Sequence, residues 1–358
     1  MSSPTPKTTF TIASRASKLA QVQTNFVRDA LQAAHPHLTF TTSFLSVEGD
    51  RNKVDALYLL AGKALWTKDL EVALKDGSVD MLVHSLKDCP TVLPAGLELG
   101  AVPEREDPLD CLVVKQGKPW KSLGELPDGS VVGTSSVRRV AQLRRQFPKL
   151  AFLDCRGNID TRLAKLDDPN SPYAAIILAK AGLNRMDLGH RATADLGAPI
   201  LYHAVSQGGL GVEIRSDDTH AAELLKAVVH WPTQWACFAE RACLRVLEGG
   251  CSVPVGIDSN LEVQGEGKGL LKLTGCVTGL DGRQHVQHSL EGTVESQAEA
   301  EALGVRLAKV LIDTGARAIL DDITKDRAQR VEEENNKTSS TKTDAEVAAI
   351  ESAMAAPA

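Results

Sequence analysis

The chain has 358 residues, 43% hydrophobic and 24% charged, the balance of a globular protein large enough for two or three domains. Its net charge of −6 excludes a general attraction to nucleic acid or to an anionic membrane, so any anion must be held by local basic clusters. No apolar run is long enough to span a bilayer. Met1 to Lys7 lacks both a signal-peptide core and an arginine-rich transit pattern, and the seven cysteines contain no CxxC pair. A cytoplasmic protein with reduced thiols and no metal site is therefore expected.

In chain order, Thr9 to Ala13 alternates like a strand, and Ser14 or Ser17 is placed to cap a helix reaching about Ala34. Leu38 to Val47 reads as a second strand. Glu48 to Lys63 is polar with two glycines and reads as a mobile loop. Thr67 to Lys75 is helical, with Gly77 as its stop. Met81 to His84 and Leu97 to Val102 are short strands, with Lys87 and Asp88 expected at the end of the first. The polar run Pro103 to Pro108 marks a crossing into a second unit. That unit has strands at Asp110 to Val114, Val131-Val132, Ala151 to Leu153 and Ala174 to Leu178, and helices at Val137 to Phe147, Ile159 to Leu166 and Lys180 to Met186. Alternating strands and helices predict parallel sheets covered by helices. Asp217 to Leu247 is mostly helical, with a break near Trp231-Pro232. Strands from Val253 to about Leu290 and a helix from Ser296 to about Leu311 form a small α+β unit. Glu332 to Ala358 has almost no large apolar residue and is expected to be disordered.

Two features point to chemistry. The first is Glu240 to Gly256, which reads as an amphipathic helix, a glycine stop at Gly249 or Gly250, a single thiol at Cys251, and a strand. A thiol on a defined turn is suited to carrying a group covalently, although free cysteine is also among the most buried residues. The second is a set of five segments that place basic groups where a strand gives way to a helix. They hold Arg15 with Ser17; Lys87 beside Asp88; Ser135, Ser136, Arg138 and Arg139; Arg156 and Arg162; and Lys180 and Arg185. Ligands of open α/β sheets bind at the carboxyl ends of the strands, and arginine forks pair carboxylates or phosphates there. The glycine-rich phosphate fingerprints are absent, which favours a polycarboxylate over a nucleotide. An Arg-Arg pair on a helix more often faces solvent, so it is the repetition at equivalent places that carries weight. Asp88 is expected to stay ionised among these cations. His84, alone near a strand end, reads as structural.

These residues together resemble the porphobilinogen deaminase (hydroxymethylbilane synthase) family, from about Thr9 to Leu320. The matching segments include Leu65-Trp66-Thr67-Lys68-Asp69-Leu70-Glu71, His84-Ser85-Leu86-Lys87-Asp88, Gly133 to Arg139, Arg156-Gly157-Asn158 and Leu247 to Pro254. The resemblance implies an α/β fold of two periplasmic-binding-protein-like domains, residues 1–104 plus 209–226 and residues 105–208, with a third, smaller α+β domain at 227–324 and a tail from 325. It implies a monomeric cytoplasmic transferase of haem biosynthesis whose partners are porphobilinogen and the growing polypyrrole chain. A dipyrromethane cofactor would be tethered by a thioether to Cys251. By position, Asp88 and Lys87 would be catalytic. Arg138, Arg139, Arg156, Arg162, Arg185, Ser135, Ser136 and Lys87 would hold the cofactor, and Arg15, Ser17, Arg156 and Arg162 the substrate. The hinges and the Glu48 to Lys63 loop are expected to adjust as the chain lengthens.

The chain departs from the family pattern at Ser206-Gln207-Gly208-Gly209-Leu210-Gly211, where Gly-Gln-Gly-Ala-Leu-Gly is usual, and at Trp66, Lys180 and Cys243. Two other readings stand beside the transferase. A non-catalytic polycarboxylate-binding protein of the same architecture would need the arginines but neither Asp88 nor Cys251. A lyase would use Lys87 as a Schiff-base nucleophile.

Overall fold

A computed structural model describes residues 7–46, 64–247 and 253–326, with residue 329. The expected loop at Glu48 to Lys63, Cys251 with its immediate neighbours, and the tail from Glu332 lie outside the described residues. The chain runs β1 (Thr9–Arg15), α1 (Lys18–Ala34), β2 (Thr39–Leu45), α2 (Ala64–Lys75), β3 (Met81–Ser85) and β4 (Leu97–Ala101). It continues β5 (Asp110–Val114), β6 (Val131–Gly133), α3 (Val137–Gln146), β7 (Ala151–Leu153), α4 (Ile159–Asp167), β8 (Tyr173–Ala179), α5 (Lys180–Arg185) and β9 (Ala194–Leu196). Then follow β10 (Leu210–Arg215), α6 (Thr219–Leu225), α7 (Trp231–Val246), β11 (Val255–Gly265), β12 (Lys268–Thr278), β13 (His285–Val294) and α8 (Gln297–Leu311).

Among the described residues, two five-stranded sheets share one plan. The first has the order β2-β1-β3-β10-β4 and the second β7-β6-β8-β5-β9. In each, the first three strands are parallel and the fourth in spatial order is antiparallel to both neighbours. That antiparallel strand is the one entered directly after the chain crosses from the other sheet: β5 after residues 102–109, β10 after residues 203–209. The α/β architecture expected from the alternating pattern is therefore present twice, and β11-β12-β13 adds a three-stranded antiparallel sheet.

Strand alternation divides the cores. In the first sheet Phe10, Ile12, Met81 and Val83 pack with Val27 and Leu31 of α1, while Ala13 and Leu82 meet Leu70 and Leu74 of α2 on the other face. Each fully buried leucine contributes about 1.5–3 kcal/mol. In the third unit α7 and α8 cover one sheet face, joining Cys243, Leu307 and Leu311 to Leu271 and Leu273. Gly304 lets the two helices touch, since a Cβ there would lie 2.0 Å from the Ala239 carbonyl oxygen.

The helical stretch is broken near Trp231-Pro232, as expected: α6 ends at Leu225 and a 3-10 turn at Val228 before α7 opens with Pro232 in its first turn, where the missing N–H is harmless. One expectation needs correcting. Strand β3 ends at Ser85, and Lys87 and Asp88 lie in a 3-10 turn, Leu86–Asp88. The cause is Leu86, which is fully buried and fits over β10 only because residue 211 is glycine: a Cβ there would lie 2.8 Å from Leu86 Cδ1. The turn drops Leu86 into the core and leaves Lys87 and Asp88 half-buried.

The two crossings run side by side. The Glu106 N–H donates to the Gly208 carbonyl at 3.3 Å, and Arg105 Nε donates to the Gln207 carbonyl at 2.6 Å. The third unit is pinned to both by Glu240 of α7. Its carboxylate accepts from Arg105 Nη1 at 2.6 Å and Nη2 at 3.2 Å, from the Ser206 N–H at 2.5 Å and from the Ser259 hydroxyl at 2.5 Å.

Candidate active site

The basic segments fall at the carboxyl ends of strands, as expected. Arg15 closes β1, Lys87 and Asp88 follow β3, Arg138 and Arg139 open α3 after β6, Arg156 and Arg162 follow β7, and Lys180 and Arg185 lie in α5 after β8. The serines have local work first. Ser17 caps α1, accepting from the Ala20 N–H at 3.4 Å, and Ser136 caps α3, accepting from the Arg139 N–H at 3.4 Å. Accepting leaves each hydroxyl proton free to donate. Ser135 donates to the Cys155 carbonyl at 3.0 Å, which leaves its oxygen free to accept.

Arg138 and Arg139 are not on a solvated face; both are about 5% exposed. Their common partner is Asp110, the first residue of β5, which is fully buried. Arg139 donates to Asp110 Oδ1 through Nε at 3.0 Å and Nη2 at 2.7 Å, and through Nη1 to the Ile177 carbonyl at 2.8 Å. Arg138 Nη1 donates to Asp110 Oδ2 at 2.7 Å and to the Tyr202 carbonyl at 2.6 Å. Half of the pair's N–H donors are thus spent within the protein. Burial alone would raise the Asp110 carboxyl, but the two guanidiniums hold it well below the usual carboxylate range. Burial pushes Arg138 down, against the pull of Asp110.

Gln207, in the second crossing, joins this cluster to the turn after β3. Its amide donates to Asp110 Oδ1 at 2.9 Å and to the Pro108 carbonyl at 2.7 Å, and it accepts from Lys87 Nζ at 3.3 Å. Burial lowers the Lys87 ammonium to about 8; Asp88 and Asp110 oppose this, and Arg139 and Arg138 add to it. Arg162 is lowered by burial and then by Arg139, with Asp88 among the groups opposing. Lys87, Asp88, Arg138, Arg139 and Arg162 therefore share one electrostatic neighbourhood, although they come from two sheets. Asp88 accepts no side-chain hydrogen bond from another described residue, so its oxygens are available.

The remaining basic residues are placed differently. Arg156 lies 3.0 Å from Asp154, and Arg162 Nε donates to the Gly157 carbonyl at 2.7 Å. Arg185 sits beside the second crossing, where Nη2 donates to the Gly208 carbonyl at 2.7 Å. Lys180 spans Asp107 at 2.8 Å and Asp195 at 2.6 Å, and the two carboxylates push its ammonium up. His84 is buried and paired with Glu213 at 2.9 Å, the structural role expected for it.

Sequence reasoning missed Asp110, Gln207, Arg105 and Glu240. Asp110 left one signal: a lone carboxylate at the head of an otherwise apolar strand must have a buried cationic partner.

The cluster carries more desolvated cation than its carboxylates neutralise, which suits a ligand with several carboxylates, such as a dipyrromethane. The family description "Porphobilinogen deaminase, dipyromethane cofactor binding domain" matches residues 10–223, and "Porphobilinogen deaminase, C-terminal domain" matches residues 235–313. A porphobilinogen deaminase of Yarrowia lipolytica is 47% identical over 317 residues, 87% of this chain and 92% of that protein. One from a Nostoc species is 47% identical over 315 residues, 88% and 94% of the two chains. Among solved structures, the periplasmic aliphatic sulphonate binding protein SsuA from Escherichia coli is similar at 16% identity and a TM-score of 0.38, over 68% of this chain and 71% of that one. Both halves of the family pattern occur here in order, and the curated relatives align over nearly their full length: this chain belongs to the porphobilinogen deaminase family.

Proposed function

We propose that this protein joins four porphobilinogen molecules head to tail into the linear tetrapyrrole hydroxymethylbilane, releasing ammonia at each condensation, on a dipyrromethane tethered by a thioether to Cys251. The observation that carries this reading is the group of partly desolvated cations around one available carboxylate, Asp88, in a chain of this family. When bound, the dipyrromethane supplies the nucleophilic pyrrole carbon and keeps the product attached.

The protein's own groups bind, orient and move protons. Each pyrrole of the substrate bears an acetate and a propionate. Arg15, Arg156 and Arg162 are half-buried and are assigned to the substrate with Ser17, whose hydroxyl proton remains free to donate. Arg138, Arg139, Arg156, Arg162, Arg185, Ser135, Ser136 and Lys87 are assigned to the tethered group. Loss of ammonia from the aminomethyl carbon leaves an electron-poor azafulvene with positive charge on the pyrrole nitrogen. Asp88 is assigned to stabilise that charge where it develops and to move a proton between the leaving amine and the ring carbon being substituted. A lysine lowered toward neutrality, as Lys87 is, can give up a proton to Asp88 or take one back near pH 8.

The strand order supports a division into residues 1–104 plus 209–226, 105–208 and 227–324, because β10 returns to the sheet of β1–β4. A monomer acting in the cytoplasm on small molecules is consistent with the net charge. No helix among the described residues is long and apolar enough to cross a membrane.

The test is the intact mass of the purified protein and of Cys251→Ser. An excess equal to two condensed pyrrole units in the wild type, absent from the variant, supports the reading. A wild-type protein that gains no such mass even after incubation with porphobilinogen overturns it.

A further inference from the structure

We infer that Asp110 is a positioning residue for the reaction: it fixes the guanidinium planes of Arg138 and Arg139 so that their remaining N–H groups meet ligand carboxylates in one arrangement. The inference rests on the proposed function and adds a residue to it.

Four observations converge on Asp110. It is fully buried at the head of β5, whose other residues are apolar, a position where an unpaired carboxylate is strongly disfavoured. It accepts bonds of 2.7 to 3.0 Å from two arginines and one amide, close to the capacity of a carboxylate. Its arginine partners are consecutive in α3, so a single acceptor sets both. Finally, the Gln207 amide can sit only one way round: its nitrogen faces two pure acceptors, Pro108 O and Asp110, and its oxygen faces a pure donor, Lys87. Asp110 is therefore one side chain removed from Lys87 as well.

The chemistry of the site gives this arrangement a use. Arginine side chains are long and lose rotamer freedom when fixed. Asp110 holds them before any ligand arrives, so binding a carboxylate need not order them again, and the reacting carbon is placed the same way at each condensation. It also balances charge. Without it Arg138 and Arg139 would be two neighbouring buried cations beside Lys87, and a polycarboxylate would be drawn into whatever pose best neutralised them. Asp110 is assigned no contact with the reacting atoms.

The test is Asp110→Asn in the holoenzyme, which keeps the shape and removes the charge. Intact mass is read first, then kcat, KM and the pH profile of kcat. We expect normal cofactor mass, kcat lowered about ten- to a hundred-fold as for a small misplacement of reacting groups, and KM changed by less than about three-fold. The alkaline limb should move to lower pH, because Lys87 loses a neighbouring negative charge. Normal cofactor mass with kcat and pH profile within about two-fold of wild type overturns the inference and leaves the proposed function standing. A wild-type protein that never gains the cofactor mass overturns the proposed function instead. If Asp110→Asn does not fold, the Arg139 Nε–H signal of wild-type holoenzyme decides the matter. Slow hydrogen exchange that persists when porphobilinogen is added supports a fixed pair. Exchange as fast as that of exposed Arg144 overturns it.

Discussion

Lys87 is the lysine of the site whose chemistry departs from its free form. Its ammonium lies near 8 because it is desolvated and flanked by Arg139 and Arg138, while Asp88 and Asp110 only partly compensate. At pH 8 a large fraction is therefore free amine, where an exposed lysine of pKa about 10.4 has almost none. An acylating reagent at pH 8 should label Lys87 of the apoenzyme well before exposed lysines such as Lys149, and more slowly in the holoenzyme, because added carboxylates raise the lysine again. Peptide mass mapping reads both. Equal labelling of Lys87 and Lys149 in the apoenzyme would contradict the lowered value. Asp88→Ala should fold, since the half-buried carboxylate accepts no hydrogen bond from another described side chain, yet lose about 10²- to 10⁴-fold in turnover. Single-turnover kinetics with porphobilinogen would reveal near-normal activity if Asp88 lies outside the mechanism.

The same scale shows what sequence can and cannot reveal. Arg15, Arg138, Arg156 and Arg162 were legible because strand and helix periodicity fixes where junctions fall, and junctions of an α/β sheet are where ligands bind. Their internal partners were not. Asp110 lies 28 residues before Arg138, and Glu240 lies 135 after Arg105. Only the strand order of the second sheet and the packing of the third unit on the first crossing, which no local pattern encodes, bring them together. The reading of Arg138 and Arg139 as ligand-facing or solvent-facing had no third option until a buried counter-ion was in view.

At the scale of elements, the first crossing was visible as a polar run and the return only through the family resemblance, and the structure gives the reason for a glycine in the latter. Gly208 has φ +85°, and a Cβ there would lie 2.1 Å from the Glu106 carbonyl oxygen. Gly208→Ala should destabilise by about 2–4 kcal/mol, combining a left-handed backbone with a contact to the backbone of the other crossing that cannot yield. Urea unfolding measures it; an effect below about 1 kcal/mol would mean the crossings can separate. Ser206 makes the opposite case. The family pattern has glycine there, and the serine stands at φ +61° with its hydroxyl buried beside the Cys237 thiol. Left-handed backbone costs a non-glycine residue about 1–2 kcal/mol. The added freedom of an unfolded glycine returns about 0.5–1 kcal/mol of that. Ser206→Gly should therefore stabilise by about 1 kcal/mol, seen as a rise in Tm, and an unchanged or lower Tm would show that the serine makes a contact worth its strain.

Across the whole molecule, one ion pair does for the three units what Asp110 does for two arginines. Arg105 comes from the first crossing, Ser206 from the second, and Glu240 and Ser259 from the third unit, and all four meet at a fully buried carboxylate. Burial would raise the Glu240 carboxyl, but Arg105 and then His203 hold it below its ordinary value. The sign of the pH effect follows. Between the folded value and the unfolded value of about 4.3, the unfolded chain binds more protons than the native one, so stability rises with pH through that window. The contribution is complete above the unfolded value and is lost as pH falls through the lower folded one; Asp110 acts in the same direction. Glu240→Gln should lower stability at pH 7 by about 3 kcal/mol, because Arg105 is left as an uncompensated buried charge. It should also flatten, without abolishing, the loss of stability between pH 4.5 and 3, since Asp110 remains to titrate. Urea midpoints across that range test both parts. A variant with the wild-type slope would place the acid sensitivity elsewhere. A variant as stable as the wild type at pH 7 would mean that the three units are held together by their apolar contacts alone.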